Sequence, residues 1–495
     1  MKAENLPEVI QGGMGAGVSN WKLARAVSRA GQLGVVAGTA LDVILARRLQ
    51  LGDPDGHMRL ALSNFPVEGV ADRILERFFI EGGKDLTEPF ESLPLLDESL
   101  SRERVELIVA ANFAEVYLAK RGHEGQVGIN LLEKIQLPTL PSLYGAMLAC
   151  VDVVLMGAGL PREIPGILDD LAEANPVRLS LDVREGTRPK SNHVEFDPSD
   201  FAGGRAPQLE RPNFYAIVSS VTVANVMALK STGQVDGLII EGPTAGGHNA
   251  PPRGLLQLNE DGEAVYGERD VTDLTLIAKL GLPFWVAGSH ASPALLEKAK
   301  SAGATGVQIG TAFAFCAESG ITPALKSRAL NRIRSGRERV RTDHLASPTG
   351  YPFKVFELAN TMSQSEVYES RQKTCDLGYL RTAYEKPNGK LGWRCPGEPE
   401  ASYLRKGGKP ENIEGKKCIC NSLLANIGLA QIQKSGQVEE PMLTSGSDTS
   451  IVADLVLRFG FAYTAENVLE YMLGPEEDLG EAEAQREENG VDQLA

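Results

Sequence analysis

FWVAGSHASPALLEKAKSAGATGVQIGT, residues Phe284 to Thr311, reads as strand, helix and strand. Two short apolar runs, Phe284 to Gly288 and Gly306 to Gly310, each end in glycine. Between them Pro293 to Ala302 places apolar residues at three- and four-residue spacing, the period of a helix lying on a sheet. Pro293 stands where a first helical turn tolerates proline, directly after the capping residue Ser292. A strand followed by a helix and a second strand is the building unit of a parallel α/β sheet.

The same alternation runs outward from this stretch. Candidate strands are Glu8 to Gly12, Leu33 to Gly38, Gln126 to Asn130, Val151 to Met156, Val177 to Val183, Phe214 to Ser220 and Asp236 to Glu241, with helices at Trp21 to Ala30 and Pro161 to Ala174. With the first two, these make nine strands, and a closed (β/α)₈ TIM barrel needs eight. The pair 177–183 and 214–220 is separated by a Pro/Gly/Asp-rich excursion, Glu185 to Pro212, so one of the two is an addition to the barrel. The gap from Gly38 to Gln126 holds helical sequence at Val70 to Ile80 and a loop, which predicts an insertion (about 40–125) over the barrel mouth. The expected organisation is a barrel over 1–320 with these two insertions, a helical, cysteine-containing region over 321–474 packed on it, and a tail over 475–495.

A doubly wound open sheet is the competing fold. GGMGAG (Gly12 to Gly17) fails its dinucleotide fingerprint, because a frame starting at Gly13 meets Val18 where the third glycine belongs. No Walker loop and no Gly-x-Ser-x-Gly elbow occurs, so phosphoryl transfer and serine hydrolysis have no support.

The 495 residues carry a net charge of −15, of which −7 lies in Glu476 to Ala495. Acidic, apolar-poor sequence of this kind does not gain enough from burial to fold, which predicts a solvated, disordered tail. Between Ile321 and Cys420 the balance reverses to +8, with Arg332, Arg334, Arg337, Arg339 and Arg341 clustered. An acidic partner could dock there, although a solvated helix face is the simpler reading. No run of eighteen apolar residues occurs, and the opening MKAENLPEVI enters a strand without an apolar signal segment. A cytoplasmic protein with no membrane or nucleic-acid partner is expected, and six cysteines in so long a chain suit a reducing compartment.

Barrel chemistry gathers where strands end, with phosphate commonly on the loops after strands seven and eight. Here those ends read Gly288-Ser289-His290 and Gly310-Thr311, whose backbone amides and hydroxyls suit a single phosphate, as in FMN. After Asp236 to Glu241 comes Gly-Pro-Thr-Ala-Gly-Gly-His (Gly242 to His248). Its glycine pair lets the main chain pass close under a planar cofactor, and His248 is then aimed into the cavity as a base working near neutral pH.

Gln11-Gly12-Gly13-Met14, Val127-Gly128-Ile129-Asn130, Ala245-Gly246-Gly247-His248, Val286-Ala287-Gly288 and Val307-Gln308-Ile309-Gly310-Thr311 follow one another in an order that resembles the nitronate monooxygenase family, formerly called 2-nitropropane dioxygenases. The resemblance spans roughly Pro7 to Phe315. It implies an FMN-binding barrel with Gly13, Met14 and Asn130 near the isoalloxazine, Gly247 beside the flavin, and Gly288, Ser289, Gly310 and Thr311 at the phosphate. His248 matches the family's catalytic base. The family commonly has a second glycine where Ser289 stands, and the long C-terminal region implies a rebuilt substrate pocket.

The implied activity is oxidation of alkyl nitronates with dioxygen. Relatives on this scaffold open a second reading, an NAD(P)H-dependent FMN enoyl reductase working on acyl chains held by an acyl carrier protein, with the +8 segment as the docking face. A third is a non-catalytic FMN-barrel binding protein. Cys375, Cys395, Cys418 and Cys420 offer thiolates for zinc or an iron–sulfur cluster, but without a Cys-x-x-Cys pair ordinary thiols are the simpler reading. Cys150 and Cys316, at strand boundaries, are expected in the core.

Overall fold

The computed structural model describes residues 6–184 and 192–474. Its strands are β1 (Val9–Gln11), β2 (Gly34–Ala37), β3 (Val127–Leu132), β4 (Val153–Gly157), β5 (Val177–Ser180), β6 (Val183–Arg184), β7 (His193–Phe196), β8 (Asn213–Val218), β9 (Gly237–Glu241), β10 (Phe284–Ala287), β11 (Gly306–Ile309), β12 (Val340–Asp343), β13 (Phe353–Phe356), β14 (Thr382–Glu385) and β15 (Leu391–Arg394). Eight of them pair in parallel in the order β1-β11-β10-β9-β8-β4-β3-β2. The two ends meet: Ile10 bridges Leu33, the Gln11 amide donates to the Leu33 carbonyl at 2.9 Å, and the Val35 amide donates to the Gln11 side chain at 3.0 Å. The sheet is therefore a (β/α)₈ barrel closed by backbone and side chain together.

The choice between the two candidate fifth strands is resolved by partners. β8 joins β4 and β9 in the barrel, whereas β5 pairs with β7 in an antiparallel ribbon outside it. Alternate residues of the barrel strands point inward and form a plug: Ile10, Leu33, Val35, Val153, Leu155, Tyr215, Ile239 and Trp285 are all buried. Tyr215 stacks on Trp285 with ring centroids 4.9 Å apart, and Trp285 Nε1 donates to the Pro7 carbonyl at 2.7 Å, sealing the N-terminal end. Such layers fill a barrel with side chains, so room for a ligand remains only beyond the C-terminal strand ends.

Two expectations about the additions change. The long connection after β2 contains four helices, of which Arg102–Lys120 packs on helices Trp21–Arg29, Leu41–Gln50 and Thr139–Leu148 and on β3. This helix belongs to the outer helical ring, while Thr39 and Ala40 at the start of the connection border the cavity at the mouth. The mouth is covered by the region beyond residue 320, whose Tyr351, Leu380, Ile419 and Leu443 reach the cavity there. That region also completes the ring: helix Ala465–Leu473 packs against Trp21–Arg29 and Pro293–Ser301, the place of an eighth barrel helix. Buried Arg371 and Glu439 hold its loops together through two hydrogen bonds of 2.6 and 2.7 Å.

The clustered arginines meet internal partners. Arg332 donates to the Arg337 carbonyl at 2.6 Å, Arg334 lies over Phe461, Arg339 pairs with Asp261 at 3.0 Å and Arg341 with Asp343 at 2.5 Å. No helix among the described residues is long and apolar enough to cross a membrane. Cys316 is buried, but Cys150 is exposed: it turns the chain out of helix Thr139–Leu148 at φ +57°, which carries its side chain away from the core. The expected acidic tail lies outside the described residues.

Candidate functional site

A cavity of about 490 Å³ opens at the C-terminal strand ends, within the roughly 300–1,000 Å³ of cofactor pockets. Gly13, Met14, Asn130, Gly247, His248, Gly288, Ser289, Gly310 and Thr311 all line it. Loops after β1, β3, β9, β10 and β11 thus bring one set of residues to one space, because parallel strands of a barrel all end on the same face.

Two local conformations shape this wall. A Cβ at Gly13 would stand 2.3 Å from the Asn130 Cβ, so the loop after β1 approaches strand β3 closely only because residue 13 has no side chain. Gly288 takes φ +96° and Ser289 φ +52°, turning the chain after β10 through the left-handed region. The second value is what makes glycine common there in the family that the motifs resemble; Ser289 tolerates it as a short polar residue and adds a hydroxyl. At the neighbouring strand end, Thr311 Oγ1 accepts from the Gly446 amide at 2.8 Å, and the Ser447 amide donates to the Thr244 carbonyl at 3.0 Å. The C-terminal segment Thr444 to Ser447 therefore clamps the corner that the sequence assigns to a phosphate.

His248 is fixed from the same side. Its Nε2 lies 2.7 Å from Ser347 Oγ, its ring meets Phe353 edge-on at 4.9 Å, and the Lys354 amide donates to the Gly247 carbonyl at 2.9 Å. Burial pushes the imidazole pKa well below its ordinary 6.5, and the Lys134 ammonium lowers it further. The ring is neutral near pH 7, as a proton acceptor must be. With Nε2 engaged, Nδ1 is the nitrogen left without a hydrogen-bond partner among the described residues.

The cavity also exposes what the sequence reading did not single out. Gln308 lines it, and its buried Oε1 has no hydrogen-bond partner among the described residues. A buried acceptor without a donor is costly, about 1–3 kcal/mol, unless a ligand N–H meets it. The side-chain oxygen of Asn249, also on this wall, is orphaned in the same way. A flat ring system bearing N–H and C=O groups, with a phosphate at one end, fits this combination of orphaned amides, glycine-thinned walls and hydroxyls. Gln308 sits inside a quoted motif, where its alternation with the apolar Val307 and Ile309 was the available signal.

The metal expectation gains no support. Among the described residues no group of three or more His, Cys, Asp or Glu side chains is placed to hold a metal ion. Cys375, Cys395, Cys418 and Cys420 do line a common space, but of only about 10 Å³, scarcely enough for one water. Burial raises the pKa of every one of these thiols, that of Cys375 to about 12, and the Gly397 amide already donates to Cys395 Sγ at 3.4 Å. Cys420 also touches the large cavity.

Comparison with known proteins agrees with the motifs. The family model described as nitronate monooxygenase matches residues 200–377, which include His248, Gly288, Ser289, Gly310 and Thr311. A nitronate monooxygenase of Pseudomonas aeruginosa is 28% identical over 201 residues, 40% of this chain and 54% of that protein. The match thus spans about half the length of that relative. The resemblance to the nitronate monooxygenase family stands on both findings. Among solved structures, FabK of Thermotoga maritima covers 97% of this chain and 95% of its own at 16% identity and a TM-score of 0.47. A nitroalkane oxidase of Streptomyces ansochromogenes covers 97% of both chains at 14% identity and a TM-score of 0.45. Likenesses at that level decide no activity, and the barrel rests on its own strand pairing.

Proposed function

We propose that the chain is an FMN-dependent oxidoreductase that oxidises alkyl nitronates with dioxygen. The observation that carries the reading is His248: a neutral imidazole held by Ser347 on the wall of a cavity whose orphaned amide oxygens and glycine-thinned loops suit a flavin. FMN, when bound, supplies the two-electron acceptance that no side chain of this protein offers, and passes the electrons to dioxygen. Gly13, Met14, Asn130 and Gly247 would flank its ring system, Gln308 would accept from a ring N–H, and Gly288, Ser289, Gly310 and Thr311 would hold the phosphate.

The protein's own part is proton handling and enclosure. In the tautomer whose Nε2–H donates to Ser347 Oγ, Nδ1 carries the free lone pair. A neutral nitroalkane placed against it gives up the proton on the carbon beside the nitro group; the C–H electron pair stays with the substrate as the nitronate, and the proton rests on Nδ1. A substrate supplied as the nitronate needs no such step. Phe353 and Tyr351 close the C-terminal side of the cavity and keep bulk water from the imidazole.

One observation favours a second reading. Leu377, Leu380, Ile419, Leu423 and Leu443 give the cavity an apolar wall broader than a short nitroalkane needs, and an NAD(P)H-dependent reductase of acyl carbon–carbon double bonds would use it. The arginines that would meet an acidic carrier lie partly or fully exposed, with Arg339 also paired to Asp261 at the surface.

The test is cofactor content. Acid extraction of the purified protein should release close to one FMN per chain. Oxygen uptake should follow addition of propyl nitronate without any nicotinamide nucleotide. Protein free of flavin after expression and after incubation with FMN would overturn the proposal.

A further inference from the structure

Glu241 ends β9 and faces the cavity, with Lys134 as the one charged neighbour that favours its ionised form and no hydrogen bond among the influences on its carboxylate. Lys134 stands just past β3, its ammonium buried without a hydrogen-bond acceptor and 4.3 Å over the ring of Tyr351, itself a cavity residue. A carboxylate and an ammonium, each without a hydrogen-bond partner among the described residues, thus flank the wall that carries His248. Neither group is used by the chemistry proposed above. A buried ammonium without an acceptor costs stability, and ionisable groups paired on a cavity wall concentrate where a group must change its protonation during a reaction.

We propose that Glu241 is a second proton-carrying residue of this cavity, acting directly on bound substrate, and that Lys134 is the positioning residue that sets its charge. The inference rests on the reading of the cavity as a reaction site, and not on which substrate occupies it. In the forward sense the Glu241 O–H bond breaks, its proton forms a bond to an atom of the substrate, and the electron pair stays on the carboxylate; the reverse step returns it, and no electrons change hands.

The electrostatics agree with the geometry. Burial pushes the Glu241 carboxyl up to about 7 against the opposing pull of Lys134, and burial pushes Lys134 down to about 8. The two therefore titrate as a coupled pair across neutral pH. The other ionisable groups around them are Glu133 on the Lys134 loop, His248 on the β9 loop, Tyr266 on the segment that follows it, His290 after β10 and Tyr351 from the C-terminal region. Glu133 itself is pushed up to about 7, chiefly by burial, so it leaves Lys134 little competing negative charge below that pH.

The decisive experiment is infrared difference spectroscopy of the full-length protein titrated from about pH 5 to about pH 9, a range that brackets both groups. The wild type should show a carboxylic acid C=O band disappearing near neutral pH. Glu133 should contribute to the same band, so Glu241→Gln should lose part of its amplitude beyond what Glu133→Gln removes, and Lys134→Met should move the midpoint of the Glu241 part upward by about one unit, the effect of losing a nearby opposite charge. This arm needs neither substrate nor flavin, so it is independent of the nitronate reading. Turnover, with whichever substrate the protein accepts, supplies the second arm: Glu241→Gln should lower kcat by about 10²-fold or more while KM changes little, and should remove the limb of the pH profile that Lys134→Met displaces. An acid band near neutral pH whose amplitude is unchanged in Glu241→Gln, or full activity with an unchanged pH profile in a folded Glu241→Gln protein, overturns the proposal.

Discussion

His248 is the residue on which the proposed chemistry turns, and its environment makes two predictions. As a general base it should contribute about 10²- to 10⁴-fold, so His248→Asn should slow turnover of a neutral nitroalkane by that factor and leave oxidation of the preformed nitronate largely intact. Equal loss on both substrates, with flavin retained, would assign it to substrate orientation instead. The second concerns stability. The folded imidazole titrates well below 6.5 while the unfolded one titrates near it, so below about pH 6.5 the unfolded chain binds the extra proton and the native state loses stability as the pH falls. Denaturant titrations at about pH 7 and about pH 5 should show a smaller loss for His248→Asn than for the wild type. His248 was legible in the sequence because a glycine pair and a strand end frame it. Gln308, Glu241 and Lys134 were not: what distinguishes them is an orphaned oxygen, a missing donor and a buried ammonium, which only the packed structure reveals.

At the scale of strands and loops, the plug and the strand ends make separable demands. Trp285 stacks on Tyr215 and caps the closed end of the barrel, so Trp285→Ala should cost about 3–5 kcal/mol in urea unfolding, the range for deleting a large buried aromatic. Gly310→Asp should act differently. A Cβ at Gly310 would come no nearer than 3.6 Å to Met14 Sδ, so the backbone has room, but the added carboxylate would face the proposed phosphate. That variant should keep the melting temperature of the flavin-free wild type and fail to bind FMN; FMN retained at one per chain would place the phosphate elsewhere. Most barrel strands could be read from sequence because parallel strands buried on both faces are continuous apolar runs bounded by glycine. The identity of the fifth could not, since Val177–Ser180 and Asn213–Val218 have similar local patterns and only pairing separates them. The four thiols were legible as a cluster but not as packing, because sequence spacing says nothing of the small volume between them.

For the molecule as a whole, the C-terminal region is a structural part of the barrel as well as a wall of its cavity. It supplies the helix Ala465–Leu473 to the ring, clamps Thr311 through Gly446 and seats His248 through Ser347. Arg371→Met leaves Glu439 buried without its cation and should cost about 3–5 kcal/mol, and because the same region borders the cavity, FMN affinity should fall with it. The length of this region signalled that it packs on the barrel and reshapes the pocket, but not its ties to Thr311 and His248, because contacts between residues hundreds of positions apart carry no periodicity. The central claim, flavin-mediated oxidation of a nitronate, is tested most directly by anaerobic mixing of the FMN-loaded protein with propyl nitronate, NADH and NADPH in turn, followed by visible absorbance. The account predicts bleaching of the flavin band by propyl nitronate alone and recovery of the colour on admitting oxygen. Bleaching by NADH or NADPH with none by the nitronate would contradict it.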